Sequence, residues 1–314
     1  MKYEFTSIAQ EIVQQGRAWI AETLVDTTDR ALADGFLIMR HLPNRRILLH
    51  RHHQPGCPFC RERATAFLIE RFYHGLLLSQ NLGPYGPCSL ILRSRTHHTQ
   101  AETAHFIRTH GANLLLDLPH NMTLFCNQLA GNSEEHFHLQ YLGQLLPIAK
   151  LSASPSPIYL DWQMHSTTGA QWAILDGSDS KQNHSAAPVQ HFLGIVLRGD
   201  ATPVAALAAE YLHRAEKLGM QRFNFSAWRD TDTNLNYIFI TLRAPDTLRT
   251  RHPLFPILIG ALAIGGLLTD GRQAEAVTDF DYHAFCSFMH TKTLSAEQHL
   301  SPLDSRPTLS SPTS

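Results

Sequence analysis

The stretch FCNQLAGNSEEHFHLQY, Phe125 to Tyr141, decides how the rest of the chain is read. It opens as a strand ending at Asn127, followed by a polar turn around Gly131 and Asn132. A second strand then carries His136, His138 and Gln140 at a spacing of two. Alternate side chains of an extended segment fall on one face, so both imidazoles and the amide share a side. Phe137, Leu139 and Tyr141 take the opposite side, toward a core. A polar stripe backed by an apolar one is costly to bury unless each polar group has a partner. Single histidines on strands are usually structural, and this chain has 20 of them. The triplet therefore draws its meaning from its surroundings.

Upstream, LLLSQNLGPYGPCSLILRSRTHHTQ reads as a strand over 76–80, a Gly/Pro turn and a strand over 89–93. Residues 101–117 predict a helix that stops before Pro119. With strands over 122–127 and 136–142, the order is strand, strand, helix, strand, strand. Residues 1–35 place Ile8, Ile12, Val13, Ile20 and Leu24 at helical spacing, which predicts one or two helices.

Downstream, SASPSP over 152–157 reads as a hinge between two units. Strand-like pieces follow over 158–162, 171–175 and 191–197. The clearest helix, 203–218, lies between Pro203 in its first turn and Gly219 as its stop. Strands over 222–228 and 237–242 flank the turn RDTDTN. This order echoes the first half, without a clear repeat in the residues themselves. The expected organisation is a first unit over 1–150, a second over 151–290, and a Ser/Pro/Thr-rich tail over 291–314 that reads as disordered.

A chain of 314 residues, 43% hydrophobic and 17% charged, is long enough to bury a sizeable core. Its formal net charge of -1 gives no electrostatic case for nucleic acid or a membrane as partner. The start, MKYEFTSIAQEIVQQG, lacks the apolar core of a secretory signal. The apolar run from Leu254 to Leu268 is broken by Pro256, Gly260, Gly265 and Gly266, so it predicts a buried helix or strand pair. Five cysteines without framework spacing point to a reducing, cytoplasmic compartment. Cys88, Cys126 and Cys286 read as small core residues, and Trp162, Trp172 and Trp228 as core packing. Oligomeric state is not legible.

Taken together, the residues Asn81-x-x-Pro84, a strand, His97, a helix, Asn127, a Gly turn and H-x-H-x-Q resemble the histidine-triad superfamily. The Gln ending is similar to the branch of galactose-1-phosphate uridylyltransferase, diadenosine tetraphosphate phosphorylase and the GDP-sugar phosphorylases. The likeness covers roughly 45–285, and includes MQRFNFSAW, YIFITLR and DFDYHAF in the second half. It implies an α+β protein in which two histidine-triad-like halves form an antiparallel sheet flanked by helices. The chain departs from the family at two places. Pro87-Cys88-Ser89 stands where a Gly-His pair often leads into the second strand. Leu242-Arg243-Ala244-Pro245 stands where a Pro-Arg-x-x-His element is common.

The chemistry this resemblance implies is nucleotidyl transfer by two in-line displacements at the α-phosphorus of a nucleoside diphosphate sugar or dinucleoside polyphosphate. It makes His138 the nucleophile, since a neutral imidazole is competent near pH 7 and forms a labile phosphoramidate. The second ring nitrogen of His138 then needs an acceptor, such as a backbone carbonyl, to fix the reactive tautomer. Gln140 would donate to the non-bridging phosphate oxygens. Asn127 and the amides of Gly131, Asn132 and Ser133 would bind phosphates, and Asn81 the nucleotide or ribose. Arg243 would meet a distal phosphate or sugar, its plain alternative being a surface ion pair. The acceptor would be inorganic phosphate or a sugar phosphate. The rivals are a hydrolase using water, and a non-catalytic nucleotide-binding regulatory protein, which the two departures favour.

The same branch implies zinc on Cys57, Cys60, His97 and His136. Two thiolates and two imidazoles suit a closed, structural, tetrahedral site. By itself the Cys-x-x-Cys turn also suits a redox pair or an ordinary turn, and His98 competes with its neighbour His97.

Overall fold

The structure is a computed structural model that describes residues 2–44, 70–81, 83–94, 103–128, 136–152, 160–177, 191–244, 261–270 and 281–304. Helices α1 (Lys2–Gln15) and α2 (Arg17–Leu24) open the chain, as the helical spacing predicts. Two strands unforeseen in the sequence follow, β1 (Thr28–Leu32) and β2 (Leu37–His41). Then come β3 (Arg71–Tyr73), β4 (Leu76–Gln80), β5 (Ser89–Arg93), α3 (Thr103–Asp117), β6 (Thr123–Gln128) and β7 (His138–Leu142). The second half has β8 (Gln163–Met164), β9 (Gln171–Asp176), β10 (Leu193–Gly199), α4 (Ala201–Lys217), β11 (Phe223–Arg229) and β12 (Asn236–Leu242). A short helix α5 (Ala261–Ile264), strand β13 (Leu267–Asp270), α6 (Tyr282–Lys292) and α7 (Ala296–Asp304) complete it.

The strands from β3 to β12 form one ten-stranded sheet in the order β3-β4-β5-β7-β6-β11-β12-β10-β9-β8, antiparallel at every described pairing. That order is a palindrome. Each half runs strand, strand, strand, helix, strand, strand, and the halves meet at the β6–β11 seam, where Asn127 pairs with Asn224. The internal repeat, invisible in the residues, is a repeat of topology. Strands β1, β2 and β13 make a separate three-stranded sheet.

Residues of one parity on the large sheet meet α3 and α4. Leu90, Leu92, Leu139, Tyr141, Leu124, Cys126, Phe225, Ile238 and Ile240 lie in one buried cluster with Ile107, Leu114, Val204 and Leu207. Gly111 of α3 lets the helices approach: a Cβ there would stand 3.3 Å from that of Ala205 on α4. Each large apolar side chain contributes about 1.5–3 kcal/mol on burial, more than a hydrogen bond's net ~1 kcal/mol. This helix-side core therefore holds the sheet, and polar groups on the opposite face are left to other work. That face is covered at its centre by Phe36, Leu37 and Met39 of the small sheet region, packed on Phe125, Leu142, Val196 and Trp228. Arg40 fastens the two, donating to Asp29, to the Tyr85 carbonyl and to Gln144.

Several sequence expectations need correction. The helix expected over 203–218 begins at Ala201, with Asp200 as its N-cap. The strand expected over 158–162 is absent from residues 160–162 and begins at Gln163. Part of the tail read as disordered is helix α7, because His299, Pro302 and Leu303 give it an inner side and Tyr211 and Arg214 of α4 donate to its carbonyls. Trp228 is buried as expected, whereas Trp162 and Trp172 are half-buried. No helix among the described residues is long and apolar enough to cross a membrane.

Candidate active site

Strand register assembles a polar row on the face away from α3 and α4. Arg93 of β5 pairs with His138 of β7. Carrying the β6–β7 register two residues beyond Phe125–Gln140 sets Asn127 opposite His138. Asn127 pairs with Asn224 of β11, and Asn224 with Thr241 of β12. The row Arg93, His138, Asn127, Asn224, Thr241 thus crosses five adjacent strands. Gln140 stands two residues along β7, between Ile91 and Phe125. On the matching face of β12 the second half carries Phe239 and Thr241, so the described sheet holds one such histidine centre.

His138 is nearly buried, with 5% of its surface exposed. Its Nδ1 lies 2.7 Å from the His136 carbonyl oxygen. A carbonyl only accepts, so Nδ1 carries the proton and Nε2 the lone pair. Burial pushes the imidazole pKa down to about 4; the His136 carbonyl opposes this, and the neighbouring His136 ring adds to it. The ring is therefore neutral at pH 7, with a fixed tautomer and a nucleophilic Nε2.

The amides beside it are oriented by groups that can only donate. The Gly83 N–H donates to Asn81 Oδ1 at 2.9 Å, which leaves Asn81 Nδ2 to donate to Gln140 Oε1 at 3.2 Å. Gln140 must then present its Nε2 hydrogens. On the other flank, the Ala261 N–H donates to Asn127 Oδ1 at 2.5 Å, and Asn224 Nδ2 does so at 2.8 Å. Asn127 accordingly presents its Nδ2. Among the described residues, neither Gln140 Nε2 nor Asn127 Nδ2 meets a protein acceptor. Two donors thus flank one neutral nucleophile, an arrangement that suits the oxygens of a phosphoryl group.

Arg243 is 2% exposed, which excludes the surface ion pair. It donates through Nη1 to Asn224 Oδ1 at 2.8 Å and through Nε to the Lys292 carbonyl at 2.9 Å. Burial pulls its pKa down only to about 10, so it stays cationic at pH 7. Arg93 is also buried and is ion-paired to Glu70.

The triplet is less uniform than its spacing suggests. Strand β7 begins at His138, and His136 sits in an isolated bridge. Its ring is fully buried, with Nε2 2.9 Å from the Ser94 carbonyl and 2.8 Å from Ser94 Oγ. The carbonyl requires a proton on Nε2 and so makes Nδ1 the nitrogen with the lone pair. A ligating histidine commonly donates its other ring N–H to a carbonyl in this way, so His136 fits a zinc ligand through Nδ1. Cys57, Cys60 and His97 lie outside the described residues, as do Gly131, Asn132 and Ser133. Among the described residues, no group of three or more His, Cys, Asp or Glu is placed to hold a metal.

Sequence reading missed Asn224 and Arg93. A signal for Asn224 was present: FNFS (223–226) alternates apolar and polar residues just as HFHLQ does. Arg93 ends an apolar strand, where a charged residue ordinarily means only solvent.

No protein-family model and no curated protein sequence matches the chain. Solved structures do. Yeast Ap4A phosphorylase Apa2 in complex with AMP superposes with a TM-score of 0.54 at 12% identity, covering 90% of this chain and 96% of that one. The same enzyme in complex with Ap4A gives 0.53 at 12% identity, covering 90% and 97%. At this identity the likeness speaks for architecture: the chain shares the fold of that phosphorylase over nearly its whole length.

Proposed function

We propose that the chain is a nucleotidyltransferase or phosphorylase that attacks the α-phosphate of a nucleoside diphosphate sugar or dinucleoside polyphosphate. The observation that carries this reading is the His138 Nδ1 contact to the His136 carbonyl, which leaves a neutral Nε2 between two oriented amide donors. In the first step Nε2 attacks the α-phosphorus, and the bond from that phosphorus to the bridging oxygen breaks. The electron pair leaves on that oxygen, with the sugar phosphate or nucleoside polyphosphate. Gln140 and Asn127 donate to the non-bridging oxygens as charge gathers there. In the second step an oxygen of inorganic phosphate or a sugar phosphate attacks the same phosphorus, the P–N bond breaks, and His138 is neutral again. With inorganic phosphate the product is a nucleoside diphosphate. That the yeast protein of the same fold was solved with AMP and with Ap4A supports nucleotides as the ligand class.

Gly131, Asn132 and Ser133, between β6 and β7, belong to the same reading as phosphate contacts, and Asn81 as a nucleotide contact. A structural zinc on Cys57, Cys60, His97 and His136 also belongs to it. When bound, such an ion closes loops by coordination and takes no part in the displacement.

The test is a phosphorolysis screen over nucleoside diphosphate sugars and dinucleoside polyphosphates, with α-labelled substrate to trap acid-labile label on the chain. Label on the wild type, none on His138→Ala, and turnover that needs inorganic phosphate are the expected results. Turnover indifferent to phosphate means the hydrolase. Binding without label or turnover means the regulatory protein.

A further inference from the structure

We propose that Arg243 and Asn224 are positioning residues, through which the second half of the chain aims the Asn127 amide at the phosphoryl group on His138. The inference rests on the reading just given and assigns Arg243 a different task from direct contact with a distal phosphate or sugar.

The argument is one of donors and acceptors. A guanidinium has no acceptor atom, so its contact at 2.8 Å fixes the Asn224 carbonyl oxygen toward Arg243. Asn224 is then obliged to turn its NH2 toward Asn127, 2.8 Å away. That in turn holds the Asn127 oxygen inward and its NH2 outward, beside His138. An isolated asparagine flips between two nearly isosteric states, only one of which offers a donor. Here the state is set from two directions, by the Ala261 N–H at 2.5 Å and, two side chains upstream through Asn224, by a cation that cannot reverse its role. Arg243 itself is anchored on backbone carbonyls: its main-chain N–H donates to that of Arg222, and its side-chain Nε to that of Lys292. The relay crosses the β6–β11 seam, so one half supplies the nucleophile and the other orients a donor to its substrate.

The discriminating variant is Asn224→Asp. It has the same shape, and its carboxylate still accepts from Arg243, now as an ion pair, so folding is retained. It offers no hydrogen to Asn127 and repels the Asn127 oxygen. The relay predicts a fall in kcat of about 10²-fold, as for loss of one transition-state donor, with KM little changed. Asn127→Ala falls by a similar factor, and Asn127→Ala/Asn224→Asp falls no further than Asn127→Ala alone, since both act through one amide. A kcat for Asn224→Asp within about twofold of wild type, or losses that multiply in the double variant, overturns the proposal. A readout free of turnover separates this from failure of the enzymatic reading. The side-chain amide resonances of Asn127, identified by their loss in Asn127→Asp, move in Asn224→Asp if the relay exists. Unmoved resonances overturn it even in a protein with no activity.

Discussion

Asn81 donates from Nδ2 to Gln140 Oε1 at 3.2 Å, while its own Oδ1 accepts the Gly83 N–H at 2.9 Å. The pair is buried on both sides, with 5% and 8% of their surfaces exposed. Gln140 is thereby oriented by the backbone of the loop after β4, as Asn127 is by the Ala261 N–H and, through Asn224, by Arg243. Two relays of opposite origin converge on one imidazole.

This arrangement separates two roles for Asn81. A ribose contact, once lost, raises KM. A residue that holds Gln140 lowers kcat when it is lost. Both polar atoms of Asn81 are already engaged within the protein, so we expect Asn81→Asp to lower kcat about 10- to 100-fold with a smaller change in KM. Steady-state kinetics on the substrate found by the phosphorolysis screen decides it. A pure KM effect would return Asn81 to the nucleotide.

The pH dependence of the first step follows from the His138 environment. Its folded pKa lies near 4 because the ring is desolvated, so the nucleophile is already neutral throughout the physiological range. Single-turnover nucleotidylation should be flat from about pH 8 down to about pH 5 and lost as pH falls through about 4. A break near 6.5 would show that the working ring is well hydrated, and the donor geometry would need a different explanation.

Zinc is testable without activity. If Cys57, Cys60, His97 and His136 hold the ion, purified protein carries about one zinc per chain, and Cys57→Ser and His136→Ala lose it. Loss should lower the melting temperature, because a metal that binds only the folded chain adds its binding free energy to folding. Elemental analysis and thermal denaturation are the measurements. A folded wild type free of metal removes zinc from the account.

The strands carrying the site were legible because alternation is a local property. Leu139 and Tyr141 had to face a core, and that placed His138 and Gln140 together. The palindromic sheet was not legible, since β12 carries Phe239 and Thr241 where a true sequence repeat would show histidine. Arg243 misled for a physical reason. Nothing in YIFITLRAP tells whether the last arginine of a strand meets water or a buried asparagine, because its partner lies 19 positions earlier. Helix α7 misled likewise: Ser and Pro are abundant there, yet His299, with Tyr211 and Arg214 of α4, ties the segment down.

That histidine, His299, gives the last prediction. Its Nδ1 donates to the Ser295 carbonyl at 2.9 Å, and its Nε2 accepts the Leu242 N–H at 2.9 Å, so the ring docks α7 onto the end of β12 only while neutral. Burial pushes its pKa down to about 4. His138 is held at about 4 and His191 at about 3, again chiefly by burial, and the Tyr282 hydroxyl lies 2.9 Å from His191 Nδ1. All three folded values lie below the ordinary histidine value of 6.5, so the unfolded chain binds more protons in between. The stability this gives is fully present above about pH 6.5 and is lost as pH falls toward 4. Each histidine contributes a slope of about 1.4 kcal/mol per pH unit inside that window. Denaturant unfolding between pH 7 and 5 should therefore show a steep loss of stability. His299→Gln should be less stable at pH 7 but flatter by one proton's worth of slope. An unchanged slope in that variant would mean that His299 already exchanges its proton with water in the folded chain, and that α7 is held by Tyr211 and Arg214 without it.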